Sequence, residues 1–394
     1  MNQSPEQSFK ELIDNLPKSG VKSGFELNDS IENKLPFRDL EAAKQRAAIR
    51  RWKLVENLDR YLIEFEANFI KTGGKIIWAR NADEAKSTIV EVLAKYNLRQ
   101  ASLFGDSIIN ELDLYNQLSL EDIKLLPLKT GIEKDVALIA QADMFISDPG
   151  VILFNGLNKY THKVIAKTRC IIAIAGINDG LQNINDLTLF LQFKNAQKHM
   201  NHNRDFSLLF GPRTSADSDS TKEIYLLIVD NGRSNLLPDK KSRQAAWCIN
   251  CGSCEKACPI NNVINPVSGT YESPINSVQL SYTIDAEEFQ YLNRATTLCG
   301  ACSDICPVKI NLHGIFIHNR SKANALQLTP QKERWFYLLW KKAMLRKSKF
   351  NFGTFKSNHL LMETIYSKIW GSAEITPPFA KKTFNEIWKE KNKQ

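Results

Sequence analysis

The sequence lacks a long apolar run. None of its 394 residues lie in a stretch long enough to cross a bilayer, and CIIAIAGI at 170–177 is far too short. The first twenty residues are polar and contain no hydrophobic signal core. We therefore expect no membrane span and a cytoplasmic protein. In that compartment thiols stay reduced, and clustered cysteines bind metal more often than they form disulfides.

The sequence also lacks the short motifs of several common enzyme classes. It has neither the G-x-G-x-x-G fingerprint of dinucleotide-binding proteins nor the G-x-S-x-G turn of α/β-hydrolases. It has no nucleic-acid-binding motif, and its net charge of +9 comes from scattered Lys and Arg residues. We interpret this charge as a solvated basic face, with a docking face for an acidic redox partner as the second interpretation. We expect no catalytic residues and no nucleic-acid partner.

Predicted helices and strands alternate along the first part of the chain. This alternation is typical of an α/β domain with a mostly parallel sheet. Helices are predicted over 39–74, 82–97, 107–118, 132–142 and 184–193, and strands over 75–79, 101–105, 123–128, 143–147, 150–154, 170–176 and 223–232.

The composition changes along the chain in a way that predicts four parts. Residues 1–38 form an N-terminal arm and residues 39–236 the α/β domain. Residues 240–325 carry the clustered cysteines, and residues 326–394 form a basic, aromatic C-terminal tail. The tail contains ERWFYLLWKKAMLRK at 333–347, which predicts an amphipathic helix. We expect this helix to pack against the rest of the protein.

Seven of the eight cysteines lie in two short runs. The first run, WCINCGSCEKACP, contains Cys248, Cys251, Cys254 and Cys258, followed by Pro259. Its spacing is that of bacterial iron–sulfur proteins, in which the fourth cysteine binds the other cluster. Zinc is the alternative, but structural zinc sites commonly use two separated C-x2-C pairs. The spacing therefore favours an iron–sulfur cluster.

The second run, LCGACSDICP, repeats this rhythm with one cysteine fewer. It contains Cys299, Cys302 and Cys306, and Thr296 stands where the first cysteine of a complete run would be. Crosswise ligation then predicts two ligand sets: Cys248, Cys251, Cys254 and Cys306 for the first cluster, and Cys258, Cys299 and Cys302 for the second. The first is expected to be [4Fe-4S]. The second is either [4Fe-4S] with an incomplete cysteine set or [3Fe-4S].

The remaining thiol and imidazole groups give weaker signals. Cys170 opens the apolar run at 170–176 and is interpreted as a buried, small apolar residue rather than the missing ligand. His199 and His202 have a spacing that could bind a metal, but their stretch is polar and we interpret them as solvated.

The order of these elements resembles the lactate utilization protein B family. The resemblance is carried by LLIVDNGRSNLL at 226–237, by CINCGSCEKACPINNV and GTYESPINSVQ, and by LCGACSDICPVKINL. It implies a LUD-type α/β domain, similar in fold to sugar-phosphate isomerases and CoA transferases, followed by an α-helical ferredoxin module with two clusters. Seven cysteines at the same four-plus-three spacing are also a trait of that family.

The resemblance also implies a function. The chain would be the iron–sulfur electron-transfer subunit of a complex that oxidises L-lactate, or a related 2-hydroxy acid, to pyruvate. Its expected partners are a cysteine-rich redox subunit and a second LUD-domain protein. Two alternatives remain open at this point. One is an electron-transfer or redox-sensing protein that serves a different dehydrogenase, and the other is an enzyme that acts alone.

Overall fold

The computed structural model describes residues 35–128, 135–157, 159–198, 206–212, 222–264, 273–283, 290–328, 331–345, 382 and 384–392. The chain forms two compact units. The larger comprises Glu26–Asn261 and Tyr271–His318, and the other comprises Met1–Phe25, Asn262–Thr270 and Asn319–Gln394. The predicted divide between the α/β and cysteine-bearing parts, at 237–239, lies inside the larger unit. The four-part division of the chain stays a prediction.

Ten strands are found in the described residues, and six of them form one parallel sheet. The strands are β1 (Lys75–Ala79), β2 (Gln100–Phe104), β3 (Lys124–Leu125), β4 (Val136–Gln141), β5 (Met144–Asp148), β6 (Val151–Asn155), β7 (Cys170–Gly176), β8 (Gly180–Asn183), β9 (Phe206–Leu209) and β10 (Glu223–Val229). The parallel sheet has the order β1-β10-β7-β4-β2-β3. The predicted α/β fold with a mostly parallel sheet is confirmed.

The central strands of this sheet are buried on both faces. Ile172 of β7 lies in one hydrophobic core with Ile89, whereas its neighbour Ile171 lies in a second core with Phe65 and Phe69. Successive side chains of a strand point to opposite faces, so a strand covered on both sides is a continuous apolar run. This explains why CIIAIAG contains no alternation of polar and apolar residues.

The helix predicted over 132–142 is wrong. Val136–Gln141 form β4, which pairs with β2 on one side and with β7 on the other. An uninterrupted apolar run of this length fits a buried helix and a buried strand equally well. The position between two strands decides the outcome, because the backbone groups of β4 are satisfied by its neighbours.

A second, four-stranded sheet has the order β8-β5-β6-β9. The pair β5 and β8 is parallel, while β5 and β6, and β6 and β9, are antiparallel. The sequence predicted β5 and β6 but not β8 and β9. Both missed strands have only four residues, so their period-two pattern is too short to recognise.

Fourteen helices are described. They are α1 (Leu40–Glu56), α2 (Leu58–Lys71), α3 (Ala82–Lys95), α4 (Ser107–Glu111), α5 (Leu114–Leu120), α6 (Lys159–Lys167), α7 (Leu187–Lys198), α8 (Ser253–Ala257), α9 (Pro259–Ile264), α10 (Pro274–Thr283), α11 (Ala301–Asp304), α12 (Leu312–Ala325), α13 (Gln331–Met344) and α14 (Phe384–Lys391). Short 3-10 turns at Arg233–Leu236 and Ser242–Trp247 link β10 to the first cysteine run.

Two predicted helices are each divided in two. The helix expected over 39–74 breaks at Asn57, whose side-chain amide donates a hydrogen bond of 2.9 Å to the carbonyl of Lys53. The helix expected over 107–118 breaks at Asp113, which adopts a left-handed conformation with φ of 48°. Asn and Asp side chains compete for backbone hydrogen bonds and tolerate this conformation, so they divide helices without a Gly or Pro signal.

The cysteine-bearing part of the chain is helical, as predicted. In the described residues of 240–325, the regular elements are the short helices α8 to α11, the longer α12 and 3-10 turns. Helices α8 and α11 each begin directly after a glycine of a cysteine run. Each run therefore consists of a tight loop followed immediately by a short helix.

Helix α13 carries a row of large apolar side chains from Trp335 to Trp340, each of them 40–67% exposed. Its packing against the rest of the protein stays a prediction. The search for membrane-crossing helices within the described ranges found no candidate of sufficient length and apolar character.

Candidate metal centre

The two cysteine runs form matching loops. Gly252 and Gly300 each precede a short helix and have φ of 77° and 86°, a left-handed conformation that glycine adopts without a steric penalty. Cys254 lies in α8 and Cys302 in α11, and these two helices pack against each other. The two runs therefore have similar backbone conformations and lie next to each other.

Four thiols, three from the first run and one from the second, interact with one another. Burial raises the pKa of Cys248 to about 12, and the thiols of Cys251 and Cys306 act in the same direction. Burial, followed by Cys251, also raises the pKa of Cys306 to about 12. Burial, followed by Cys248 and Cys251, raises the pKa of Cys254 well above its ordinary value. Cys306 of the second run is therefore a neighbour of the first run's thiols.

The three other thiols form a second group. Burial raises the pKa of Cys302 to about 11, with smaller contributions from Cys258 and Cys299. Cys258 and Cys302 are buried, whereas Cys299 is exposed. An interaction between Cys302 and Cys306 joins this group to the first. The second group is thus the more open of the two to solvent.

Hydrogen-bond donors surround several of the sulfur atoms. The backbone N–H of Asn250 lies 3.3 Å from Sγ of Cys248, and the N–H of Ile310 lies 3.4 Å from Sγ of Cys306. The hydroxyl of Ser253 lies 3.2 Å from Sγ of Cys251. Donors of this kind stabilise thiolate ligands and tune the reduction potential of a bound cluster.

The chemistry of these thiols fits an iron–sulfur cluster. Burial raises the pKa of four of these thiols, Cys248, Cys254, Cys302 and Cys306, so their thiolates are unfavourable without a partner. Metal coordination would compensate by deprotonating the thiols and neutralising their charge. In the described part of the chain, no three His, Cys, Asp or Glu side chains converge on a point that could hold a single metal ion. The two groups of thiols are candidates for the corners of larger, multi-iron clusters.

Arg51, which was not among the predicted site residues, is buried beside the first cysteine run. Its guanidinium is 1% exposed and donates to five carbonyl oxygens. The acceptors are Asn178 (2.6 Å), Gly180 (2.5 Å), Ala246 (3.1 Å), Trp247 (2.9 Å) and Cys248 (3.1 Å). Burial lowers the pKa of Arg51 to about 10, which leaves it protonated at neutral pH. One feature of the sequence could have indicated this role: Arg51 lies on the apolar face of α1, between Ala47 and Leu54.

The DNGR segment at 230–233 has a structural role. The Asp230 carboxylate accepts hydrogen bonds of 2.7 Å from both the N–H and the hydroxyl of Ser234. Ser234 lies in the 3-10 turn that follows β10. Arg233 forms two hydrogen bonds to the carboxylate of Glu111, at 2.9 and 2.6 Å. The segment thereby fixes the path of the chain as it leaves the sheet towards the cysteines.

The weaker candidates lie apart from the two groups or outside the described residues. Cys170 is 1% exposed at the start of β7, in the hydrophobic core that contains Ile172 and Tyr225. Burial raises the pKa of Cys170 to about 12, which makes it an unreactive thiol. His199 and His202 lie outside the described residues.

Comparison with known proteins identifies the cysteine-bearing part. Residues 244–310 match the family described as "4Fe-4S dicluster domain". This stretch contains all seven cysteines of the two runs. The α-helical module is therefore of the iron–sulfur type.

The relatives cover most of the chain. A protein from Bacillus licheniformis is 24% identical over 388 residues and covers 80% of both chains; one from Bacillus subtilis is 25% identical over 392 residues and covers 79% of both. Both are named Lactate utilization protein B. The chain is similar to lactate utilization protein B. A further protein of this name, from Shouchella clausii, is 40% identical over 114 residues, 28% of this chain and 24% of that one.

These matches confirm the resemblance to the lactate utilization protein B family that the cysteine motifs and DNGR indicated. Among solved structures, a DUF162 family protein from Deinococcus radiodurans covers 44% of this chain and 98% of its own, with 13% identity and a TM-score of 0.34. The α/β fold follows from the strand order described above.

Proposed function

We propose that this chain is the iron–sulfur electron-transfer subunit of a complex that oxidises L-lactate, or a related 2-hydroxy acid, to pyruvate. The name shared by the relatives supports the substrate, and the 4Fe-4S dicluster match supports the redox role. The α/β part contributes the scaffold that holds the first cysteine run through the hydrogen bonds of Arg51.

The observation that carries this proposal is the position of Cys306. Although it belongs to the second run, its thiol interacts with Cys251 and Cys248 of the first. In our proposal, one [4Fe-4S] cluster is held by Cys248, Cys251, Cys254 and Cys306. The second cluster is held by Cys258, Cys299 and Cys302, and has either four irons with an incomplete cysteine set or three irons.

Two one-electron centres suit the chemistry of this substrate class. Oxidation of a 2-hydroxy acid to a 2-oxo acid releases two electrons and two protons. An iron–sulfur cluster, when bound, takes up and returns one electron at a time. We assign the removal of electrons from the substrate to the partners, a cysteine-rich redox subunit and a second LUD-domain protein. The present chain then accepts the electrons and passes them on.

The exposure of Cys299 favours a second candidate function. A cluster held in part by an exposed thiolate is open to oxidants, which is a property of redox sensors. In that case the chain would report oxidation, or would serve a different dehydrogenase, instead of carrying electrons from lactate. The two candidates differ in whether reduction of the clusters depends on lactate and the partners.

A reconstitution experiment tests the proposal. The chain, purified anaerobically with its clusters, is mixed with lactate alone, with the two partners alone, and with both. We expect the clusters to become reduced only in the last mixture, as measured by electron paramagnetic resonance. Pyruvate formation by the chain alone would identify an autonomous enzyme. Clusters that stay oxidised in the complete mixture would contradict a role in lactate oxidation.

A further inference from the structure

Within the described residues, the second group contains three thiols and no fourth, and we do not expect the residue in register with the missing cysteine to act as a ligand. The hydroxyl of Thr296 accepts a hydrogen bond of 3.1 Å from the backbone N–H of Leu298. A neutral hydroxyl is also a poor ligand for iron beside sulfide and thiolate. The fourth ligand of a cluster at Cys258, Cys299 and Cys302 would therefore be a different residue.

The imidazole of His313 lies next to the second cysteine loop. His313 is in the first turn of α12, and its Nδ1 lies 2.8 Å from the hydroxyl of Ser303, which follows Cys302. A Cβ placed on Gly300, between Cys299 and Cys302, would be 3.9 Å from the same nitrogen. The two other described histidines have different partners: His162 contacts Ser207, and His318 contacts Asp239.

The hydroxyl of Ser303 links His313 to the thiol of Cys302. It accepts a hydrogen bond of 3.1 Å from the backbone N–H of His313. It also forms a hydrogen bond with Cys302, which acts to lower the pKa of that thiol. A serine hydroxyl has one proton and two lone pairs. When its proton points to the sulfur of Cys302, both lone pairs are left to accept from His313, one from the backbone N–H and one from Nδ1–H.

This arrangement leaves Nε2 of His313 with a free lone pair. A neutral imidazole that donates through one ring nitrogen can bind a metal through the other, and metal-binding histidines usually have such a hydrogen bond. Histidine is an established ligand of iron–sulfur clusters in Rieske centres. The orientation of the ring is fixed by a residue adjacent to one of the three proposed cysteine ligands.

We infer that His313 supplies the fourth ligand of the second cluster through Nε2, which makes it a four-iron cluster with three cysteines and one histidine. This inference rests on the proposed two-cluster arrangement. Ser303 is then a positioning residue, since it holds the imidazole without contacting the cluster iron itself. Exposed Cys299 and half-buried His313 would form the solvent-facing side of this cluster.

The experiment compares the full chain, produced anaerobically with ordinary or with ¹⁵N-labelled histidine. Pulsed electron paramagnetic resonance of the reduced protein should detect a nitrogen coupled to one cluster, and the label should change the isotope signature of that coupling. His313→Ala should abolish the coupling and convert the second cluster to a three-iron form that is visible when oxidised. The signal of the first cluster should remain as in the wild type.

His318→Ala is the matched control, because His318 lies on the same helix and is bonded to Asp239. It should retain the nitrogen coupling and the iron content. Ser303→Ala should retain the iron while changing the coupling, since the ring loses its hydrogen bond. Coupling that survives in His313→Ala, or is lacking in a protein with two intact clusters, overturns the inference but not the proposed function. A chain that forms no second cluster under any of these conditions contradicts both.

Discussion

The carbonyl oxygen of Cys248 accepts a hydrogen bond of 3.1 Å from the guanidinium of Arg51. This contact joins helix α1 to the first residue of the first cysteine run. The same guanidinium holds the loop between β7 and β8 through Asn178 and Gly180. The α/β part therefore fixes the backbone of the cysteine loop by direct hydrogen bonds, and it brings a buried positive charge to that loop.

Arg51→Gln should destabilise the protein and lower the reduction potential of the first cluster. An uncharged amide leaves several buried carbonyls without donors, and each unsatisfied group costs about 1–3 kcal/mol. A loss of about 3 kcal/mol or more in the free energy of unfolding is expected, measured by chemical denaturation. The potential should fall because a nearby positive charge favours the more negative, reduced cluster. A redox titration followed by electron paramagnetic resonance measures this shift.

Two further variants separate charge from structure. Arg51→Lys keeps the charge but not the five hydrogen bonds, so it should lose stability while its potential stays near that of the wild type. Arg50→Gln removes the adjacent arginine, which is 45% exposed and pairs with Asp186 at 3.2 Å, and should change stability by less than about 1 kcal/mol. An unchanged potential in Arg51→Gln would show that the charge does not act on the cluster.

Cys306→Ser and Cys251→Ser should damage the same spectroscopic signal, because their thiols are neighbours. Cys299→Ser should damage the other signal, since Cys299 interacts with Cys302. Mössbauer and electron paramagnetic resonance spectra of the three variants make the comparison. If the effect of Cys306→Ser instead matches that of Cys299→Ser, the crosswise assignment is wrong.

Cys170→Ala should leave the iron content and both cluster signals unchanged. Cys170 is buried in the sheet, in a core separate from the one that contains Cys248 and Cys302. The substitution removes a small buried group, so a modest loss of about 1 kcal/mol in unfolding free energy is expected. Iron analysis beside Cys302→Ala, which should lose iron, provides the reference. A drop in iron in Cys170→Ala would make Cys170 a ligand.

The double substitution of Trp335 and Trp340 by Ser should change the free energy of unfolding by less than about 0.5 kcal/mol. Both side chains are more than half exposed, at 67% and 53%, so their loss uncovers little apolar surface. Phe65→Ala is the contrast, because Phe65 is fully buried and stacks on Phe69 at 5.3 Å. That change should cost about 3–5 kcal/mol. Chemical denaturation of both variants and the wild type measures the difference in the free energy of unfolding, provided the curves have equal slopes.

Local chemistry made much of the fold predictable. Strands β1, β7 and β10 are short runs of β-branched and aliphatic residues with clear boundaries, and all three appear in the structure. The positive φ of Gly252 and Gly300 also follows from local chemistry, since a tight loop that turns into a helix needs a residue without a Cβ.

Features that depend on distant residues were not predictable. The carbonyls that accept from Arg51 lie 127 to 197 residues away along the chain, and no local pattern reports them. The strand identity of β4 likewise depends on β2 and β7, and the contact between Ser303 and His313 depends on where α12 begins.

The order of strands in the parallel sheet has a consequence for synthesis of the protein. Strand β1 lies at the edge and pairs with β10, the last strand of the sheet in the chain. During translation β1 can therefore pair with β10 only after nearly the whole α/β part has left the ribosome. The first cysteine run follows shortly after β10, so the scaffold is completed just as the cysteines emerge. The carbonyls of Ala246, Trp247 and Cys248 lie C-terminal to β10, so the first cysteine loop can reach Arg51 only after every strand of the parallel sheet has been made.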